Sequence, residues 1–175
     1  MNIQLLSTHA LEVQFAKNTI VLEADAKHDS ALFMTNSYGK EFKKTRMFTW
    51  PGEYEMADCL VRAFESDGRF TVFVVQVEDI HIVHLGKATA ISPELIDFLR
   101  QVDILVFPFD EGGIEPKEAK KIIEKIDPRV LLPIGAKREA IFPLFGSAAE
   151  SVPFYKTTRA SLPQDKMEII KLLEM

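Results

Sequence analysis

FTVFVVQVEDIHIVHL (Phe70–Leu85) carries the clearest structural signal in the sequence. Its β-branched and aromatic residues are typical of β-strands. The acidic pair Glu78-Asp79 divides the stretch into two runs, as in a hairpin. The first run is apolar at consecutive positions, so both of its faces are predicted to be buried. The sequence therefore predicts a central sheet that is covered on both sides.

The chain before this hairpin is also predicted to be rich in β-structure. Six short apolar runs, separated by turn residues, are strand candidates. They are Asn2–Leu6, Leu11–Phe15, Thr19–Glu23, Ser30–Thr35, Met47–Trp50 and Cys59–Glu65. Pro51-Gly52 is interpreted as a turn.

From Ser92 onward the pattern changes to alternating helices and strands. Ser92 can cap free backbone amides, Pro93 suits the first helical turn and Glu94 complements the helix dipole. A helix is therefore predicted to run to about Arg100, before the buried strand DILVFP at Asp103–Pro108.

The rest of the chain continues this alternation. A helix from Glu115 to about Lys125, a strand at Arg129–Pro133 and a short helix at Ala140–Phe145 are predicted, and Phe154–Thr158 and Lys166–Leu173 are closing strands. We expect one domain over residues 1–175, with a β-rich half at about 1–90 and an alternating half at about 91–175. This order predicts two sheets packed face to face with helices outside.

Composition excludes several classes of protein. The 175 residues are 47% hydrophobic and 27% charged, as in globular domains. The net charge of −5 argues against a nucleic-acid partner. No run approaches the ~20 apolar residues of a membrane span, and no leader is visible. Cys59, the single cysteine, is interpreted as a buried, inert thiol. We therefore expect a cytoplasmic protein without a membrane partner.

Four segments, in this order, resemble the metallo-β-lactamase superfamily, and in particular its small zinc-dependent hydrolases that include ascorbate-6-phosphate lactonase-like proteins. They are WPGEYEMADCLVRAF (Trp50–Phe64), IHIVHLGKATAISPELIDFLRQVDILVFPFDEGG (Ile80–Gly113), IEPKEAKKIIEKIDPRVLLPI (Ile114–Ile134) and ASLPQDKMEIIKLLE (Ala160–Glu174). The resemblance implies a four-layer αββα sandwich. It is shortened here, because only residues 42–48 stand where the family has a helix and another strand.

The resemblance also implies a metal site, which this sequence does not repeat. Relatives carry His-x-His-x-Asp-His in a loop after a strand, and these groups bind one or two Zn²⁺ ions. Here Asn36 and Tyr38 stand at the first two histidine positions, Lys40 at the aspartate and Glu41 at the last histidine. Only Glu41 retains a good metal-ligating group.

Two further ligand positions are altered. Lys87 stands where HLGD supplies a bridging aspartate, and Gly135 stands where P-x-His supplies a histidine. His84 belongs to the HLG segment, where a packed imidazole is favoured over a ligand. We therefore predict no catalytic residue, no bound metal and no cofactor. A vestigial cleft is expected to be lined by Asn36, Tyr38, Lys40, Glu41, His84, Lys87 and Gly135.

Other polar residues allow weaker alternatives. His81 and His84 lie three apart on a predicted strand, so they point to opposite faces and cannot chelate one ion. Glu53 and Glu55 share a face and suggest paired carboxylates, although a structural role is favoured. Gly112-Gly113 is interpreted as a turn rather than a phosphate loop, because no Gly-Lys-Ser/Thr follows it.

Two functional hypotheses remain open. The first is a non-catalytic binding or interaction protein that takes a small anionic ligand. It is expected to form a homodimer or to bind a protein partner, because loss of an outer helix would expose an apolar face. The alternative is a metal-dependent hydrolase of phosphoester or lactone substrates with a rebuilt Zn site. Metal content separates the two.

Overall fold

Two β-sheets pack face to face, in the arrangement that the sequence predicts. The computed structural model describes residues 1–23, 32–34, 47–48, 51–56, 58–66, 70–100, 102–146 and 151–175. No helix within these ranges has the length and the apolar character needed to cross a membrane. The architecture is an αββα sandwich of mixed sheets with few helices.

The elements are numbered along the chain. The strands are β1 (Asn2–Leu5), β2 (Leu11–Phe15), β3 (Asn18–Leu22), β4 (Leu32–Met34), β5 (Met47–Phe48), β6 (Gly52–Met56), β7 (Cys59–Ser66), β8 (Phe70–Val77), β9 (Ile80–His84), β10 (Ile104–Pro108), β11 (Val130–Ile134), β12 (Ser151–Val152), β13 (Tyr155–Lys156), β14 (Glu168–Ile169) and β15 (Lys171–Leu172). The helices are α1 (Pro93–Phe98) and α2 (Pro116–Ile126), with 3₁₀ turns at Arg138–Phe145 and Arg159–Ser161.

The first sheet has the strand order β13-β1-β2-β3-β4-β5, and the second has β14-β11-β10-β9-β8-β7-β6. β12 and β15 form a separate two-stranded sheet. In the second sheet β6 to β9 are antiparallel neighbours, whereas β9, β10, β11 and β14 run parallel. The four parallel strands therefore end at one edge of the sheet.

Alternating side chains of both sheets fill the space between them. Ile3, Val13 and Phe15 from the first sheet meet Phe73 and Ile82 from the second in one buried cluster. Burial of such side chains contributes roughly 1.5–3 kcal/mol each.

A second cluster lies on the outer face of the second sheet, beneath the helices. Val74 of β8 and Phe107 of β10 pack there with Ile96 of α1 and Ile123 of α2. Both faces of β8 and β10 are thus buried, which confirms the prediction from their continuous apolar runs. Ser92 caps α1 as predicted, since its Oγ accepts a hydrogen bond from the Leu95 amide at 3.2 Å.

The outer face of β1 and β2 is polar. Gln4 donates to Glu12 Oε1 at 2.6 Å, and Gln14 donates to the same oxygen at 2.7 Å. The first of these bonds pairs a side-chain amide with a carboxylate across neighbouring strands of the first sheet.

Some element boundaries differ from the sequence predictions. Gly52–Met56 is an edge strand that pairs with β7, although the sequence indicated only a turn at its start. The predicted helix at Ala140–Phe145 is a 3₁₀ helix that begins at Arg138 and contains Pro143. Proline removes an amide donor, so a regular α-helix is unfavourable there.

A buried carboxylate connects the amino-terminal ends of the parallel strands β9, β10 and β11. Asp103 accepts a hydrogen bond from the His81 amide at 2.9 Å and forms ion pairs with Arg129 and Arg159. Only 4% of the Asp103 side chain is exposed. This cluster lies at the amino-terminal ends of the parallel strands, so it supports the fold at the edge opposite their carboxyl ends.

Candidate functional site

The carboxyl ends of β9, β10 and β11 lie side by side. Val106 is in register with His84, and Pro108 is in register with Ile134. The loops that follow these strands carry Lys87, Asp110 and Gly135. Open sheets with parallel strands bind ligands beyond the carboxyl ends of those strands. This edge is therefore the candidate site.

The turn between β1 and β2 closes one side of this edge. The Gly135 amide donates a hydrogen bond to the Thr8 carbonyl at 2.9 Å. The same turn carries His9, whose Nε2 donates to Asp110 Oδ2 at 2.7 Å. About a third of each of these two side chains is exposed. A histidine–aspartate pair thus connects the β1–β2 turn to the loop that follows β10.

His84 lies completely buried beneath this pair. Its Nδ1 accepts a hydrogen bond from the Gly86 amide at 2.9 Å, so the ring proton is on Nε2. Among the described residues, no group lies in hydrogen-bonding geometry with Nε2. Burial lowers the pKa of His84 to about 3, and the nearby His9 ring adds to the lowering, while the His9 carbonyl opposes it. His84 is therefore neutral near neutral pH.

Gly135 has no room for a side chain. Its φ is +95°, and a Cβ there would lie 2.5 Å from the Phe109 carbonyl oxygen and 2.9 Å from Asp110 Oδ1. The Ala136 amide donates to that same Asp110 oxygen at 3.2 Å. The space beside Gly135 is therefore occupied by the Phe109 backbone and the Asp110 carboxylate.

Lys87 lines a small cavity between the loops that follow β9 and β10. The cavity has a volume of about 210 Å³ and is also lined by Ala88, Thr89, Pro108, Asp110, Glu111, Gly112 and Gly113. Lys87 is exposed and forms no ion pair within the described ranges. The structure thus places His84, Lys87 and Gly135 at one edge. Asn36, Tyr38, Lys40 and Glu41 lie outside the described residues.

Sequence reasoning missed His9 and Asp110 as a pair. They are 101 residues apart, and neither stands in a spacing that predicts a shared site. Asp110 lies next to the Gly112-Gly113 turn, and His9 lies in a turn between two strands. Only the packing of the first sheet against the second brings them together.

The other polar residues that the sequence suggested as candidates lie away from this edge of the second sheet. His81 is 40% exposed and lies 3.7 Å from Asp103, away from His84. Glu53 and Glu55 are exposed beside an open groove, and Glu53 pairs with Arg62 at 2.8 Å. Burial, with a smaller effect of Asp58, raises the pKa of the Cys59 thiol, so this thiol is protonated near neutral pH.

The sequence between residues 4 and 135 matches the family model of the β-lactamase superfamily domain. This match spans well over half of the chain. The chain belongs to the metallo-β-lactamase superfamily. No curated protein matches the sequence at a significant level.

Solved structures of the superfamily share the fold of this member. A candidate zinc-dependent hydrolase from Thermotoga maritima superimposes with a TM-score of 0.82 at 19% identity, over 98% of this chain and 97% of that one. A candidate metal-dependent hydrolase from Parabacteroides distasonis gives 0.67 at 11% identity, over 99% and 92%. The metallo hydrolase Igni18 from Ignicoccus hospitalis gives 0.62 at 11% identity, over 99% and 94%. At these identities the comparison establishes the fold alone.

Zinc is the group that the metallo-β-lactamase superfamily implies at this edge. Zinc needs several imidazole, thiolate or carboxylate ligands that converge on one point. Lys87 offers an ammonium, Gly135 offers no side chain, and the His9 Nε2 is bound to Asp110. Within the described ranges no group of three His, Cys, Asp or Glu side chains could hold a metal ion. The described residues of this edge therefore do not fit a zinc site.

Proposed function

We propose that this member of the hydrolase-like superfamily is a non-catalytic binding protein whose metal site has been rebuilt as a metal-free cleft. The observation that carries the proposal is the close packing around Gly135. The Asp110 carboxylate, fixed by His9 and the Ala136 amide, fills the space beside the backbone of Gly135. If Gly135 had merely replaced a metal-binding histidine, the space of that side chain would be expected to stay empty.

The charge at this edge supports the same proposal. A lysine beside a dication is repelled, and the cost is large when water is partly excluded. Lys87 stands where relatives are expected to have a bridging aspartate. The cleft therefore favours a small anionic ligand over a metal ion. A cytoplasmic location is part of the proposal, since Cys59 is a buried free thiol.

Metal content tests the proposal directly. Protein purified without a tag and passed through gel filtration is expected to contain less than about 0.1 transition-metal ion per chain, because no adequate ligand set is formed. Inductively coupled plasma mass spectrometry on the same sample measures Zn, Mn and Fe. Near-stoichiometric metal that chelator removes would contradict the proposal.

Self-association is a second part of the proposal. Phe98 of α1 is 50% exposed and its ring centroid lies 4.8 Å from that of Phe64 on β7. An apolar pair on the outer face suits contact with a second copy or another protein. We expect a homodimer at micromolar concentration by light scattering, and a shift toward monomer in Phe98→Glu. Asp97→Glu is the matched control. It keeps the charge of the residue next to Phe98, and it should leave the molar mass measured by light scattering unchanged. A monomeric wild-type protein would contradict this expectation.

A hydrolase of phosphoester or lactone substrates remains the second candidate, because the structural relatives named above are described as hydrolases. It would require ligands from residues outside the described ranges, such as Glu41. The metal measurement separates the two candidates, since this hydrolase needs a loaded site.

A further inference from the structure

The cavity beside Lys87 has the size of a small-molecule site. Its volume of about 210 Å³ is below the roughly 300–1,000 Å³ of pockets for drug-sized ligands. A ligand of a few heavy atoms fits that space. Ala88 and Pro108 provide an apolar wall, and such walls strengthen an ion pair formed beside them.

The two carboxylates that line this cavity already have cationic or hydrogen-bonding partners. Asp110 accepts from His9 at 2.7 Å and from the Ala136 amide at 3.2 Å. Glu111 lies 3.3 Å from the ammonium of Lys137. Within the part of the chain that the structure describes, Lys87 is the lining charge that has no counter-ion. The ammonium of Lys87 is therefore the lining group that is left to pair with an anion.

We propose that this cavity binds a small oxyanion, a carboxylate or a phosphate, through the ammonium of Lys87. The inference rests on the proposed function, because it requires that the cleft be free of metal. Gly135 contributes to this arrangement, since a Cβ there would lie 2.9 Å from Asp110 Oδ1 and would crowd the carboxylate that His9 holds. If Asp110 lost that partner, its charge would repel the anion.

The test is a titration of the metal-free protein with inorganic phosphate and, separately, with acetate. Both titrations are run at constant ionic strength with chloride and followed by amide chemical shifts. The amides of residues 86–89 and 110–113 are expected to shift saturably for at least one ion, with a dissociation constant on the order of 1 mM. The ion whose chemical-shift changes saturate at the lower concentration identifies whether the cavity prefers a phosphate or a carboxylate.

Two variants give the test its specificity. Lys87→Gln is expected to weaken binding about tenfold, because it removes the counter-ion of the ligand. Lys117→Gln removes an equal charge from an exposed lysine of α2 that does not line the cavity and is not the partner of either lining carboxylate, and it is expected to change binding less than about twofold.

Three results would overturn the proposal. Shifts that stay linear up to about 50 mM of both ions would show that no site exists. Equal weakening by the two variants would show general charge attraction. Binding in wild type that Lys87→Gln leaves intact would place the anion elsewhere. Metal content is measured on the same samples, so metal-free protein without anion binding contradicts this inference alone, whereas a stoichiometric metal contradicts the proposed function.

Discussion

Gly135→His is expected to destabilise the protein by about 3–5 kcal/mol and to create no zinc site. The variant restores the residue type that relatives are expected to have at this position. A Cβ at Gly135 would lie 2.5 Å from the Phe109 carbonyl oxygen and 2.8 Å from the Phe109 amide nitrogen. Both are backbone atoms in the loop that follows a buried strand, so neither can move without disturbing β10. Urea denaturation measures the loss, and metal analysis measures zinc.

Gly112→His is the matched control. Gly112 also has a positive φ, of +72°, but nothing lies within 4 Å of its missing Cβ. This control variant carries the backbone cost of a left-handed residue alone, about 1–2 kcal/mol. A Gly135→His variant that is no less stable than Gly112→His would refute the packing argument. One that bound zinc stoichiometrically would refute the proposed function.

The layered fold follows from the sequence because burial on both faces leaves a visible pattern. FTVFVV and DILVF are apolar at consecutive positions, and β8 and β10 contribute to both buried clusters. The strand Gly52–Met56 is harder to predict from the sequence, because an edge strand that contains Glu53 and Glu55 has no apolar run. Its strand conformation depends on pairing with β7.

The candidate site is predicted less well, since its chemistry depends on contacts between distant segments. Lys87 and Gly135 stand out in the sequence only as residues that differ from a family pattern. The sequence gives no sign that Asp110 occupies the space beside Gly135, or that His9 holds it there. That arrangement depends on the docking of the β1–β2 turn against the second sheet, through the bond from the Gly135 amide to the Thr8 carbonyl.

These contacts connect the site edge to the buried interior of the protein. His84 is packed under His9, His9 holds Asp110, and Asp110 lies against Gly135. An enzyme's cleft tolerates unpaired, strained groups because a ligand or metal satisfies them. Here partners within the protein satisfy the Asp110 carboxylate and the Gly135 amide, so these contacts contribute to the stability of the fold.

The stability of the protein is expected to fall by about 3 kcal/mol between pH 7 and pH 4 through His84 alone. Burial lowers the pKa of His84 in the folded state to about 3, from an ordinary value of 6.5. Between these two values the unfolded chain takes up a proton that the folded chain does not. Protonation thus favours the unfolded state, and this contribution is fully present above about pH 6.5 and is lost as the pH falls toward 3.

His84→Gln separates this effect from the titration of carboxylates, because an amide does not titrate. The variant is expected to be less stable than wild type at pH 7, since it loses the packing of a fully buried ring, but its stability should fall less steeply with acid. The measurement is urea denaturation of both proteins at pH 7, 5.5 and 4. Equal pH slopes would mean that His84 takes up its proton in the folded state. In that case the imidazole would be reachable from solvent, and the buried support beneath the His9–Asp110 pair would not exist.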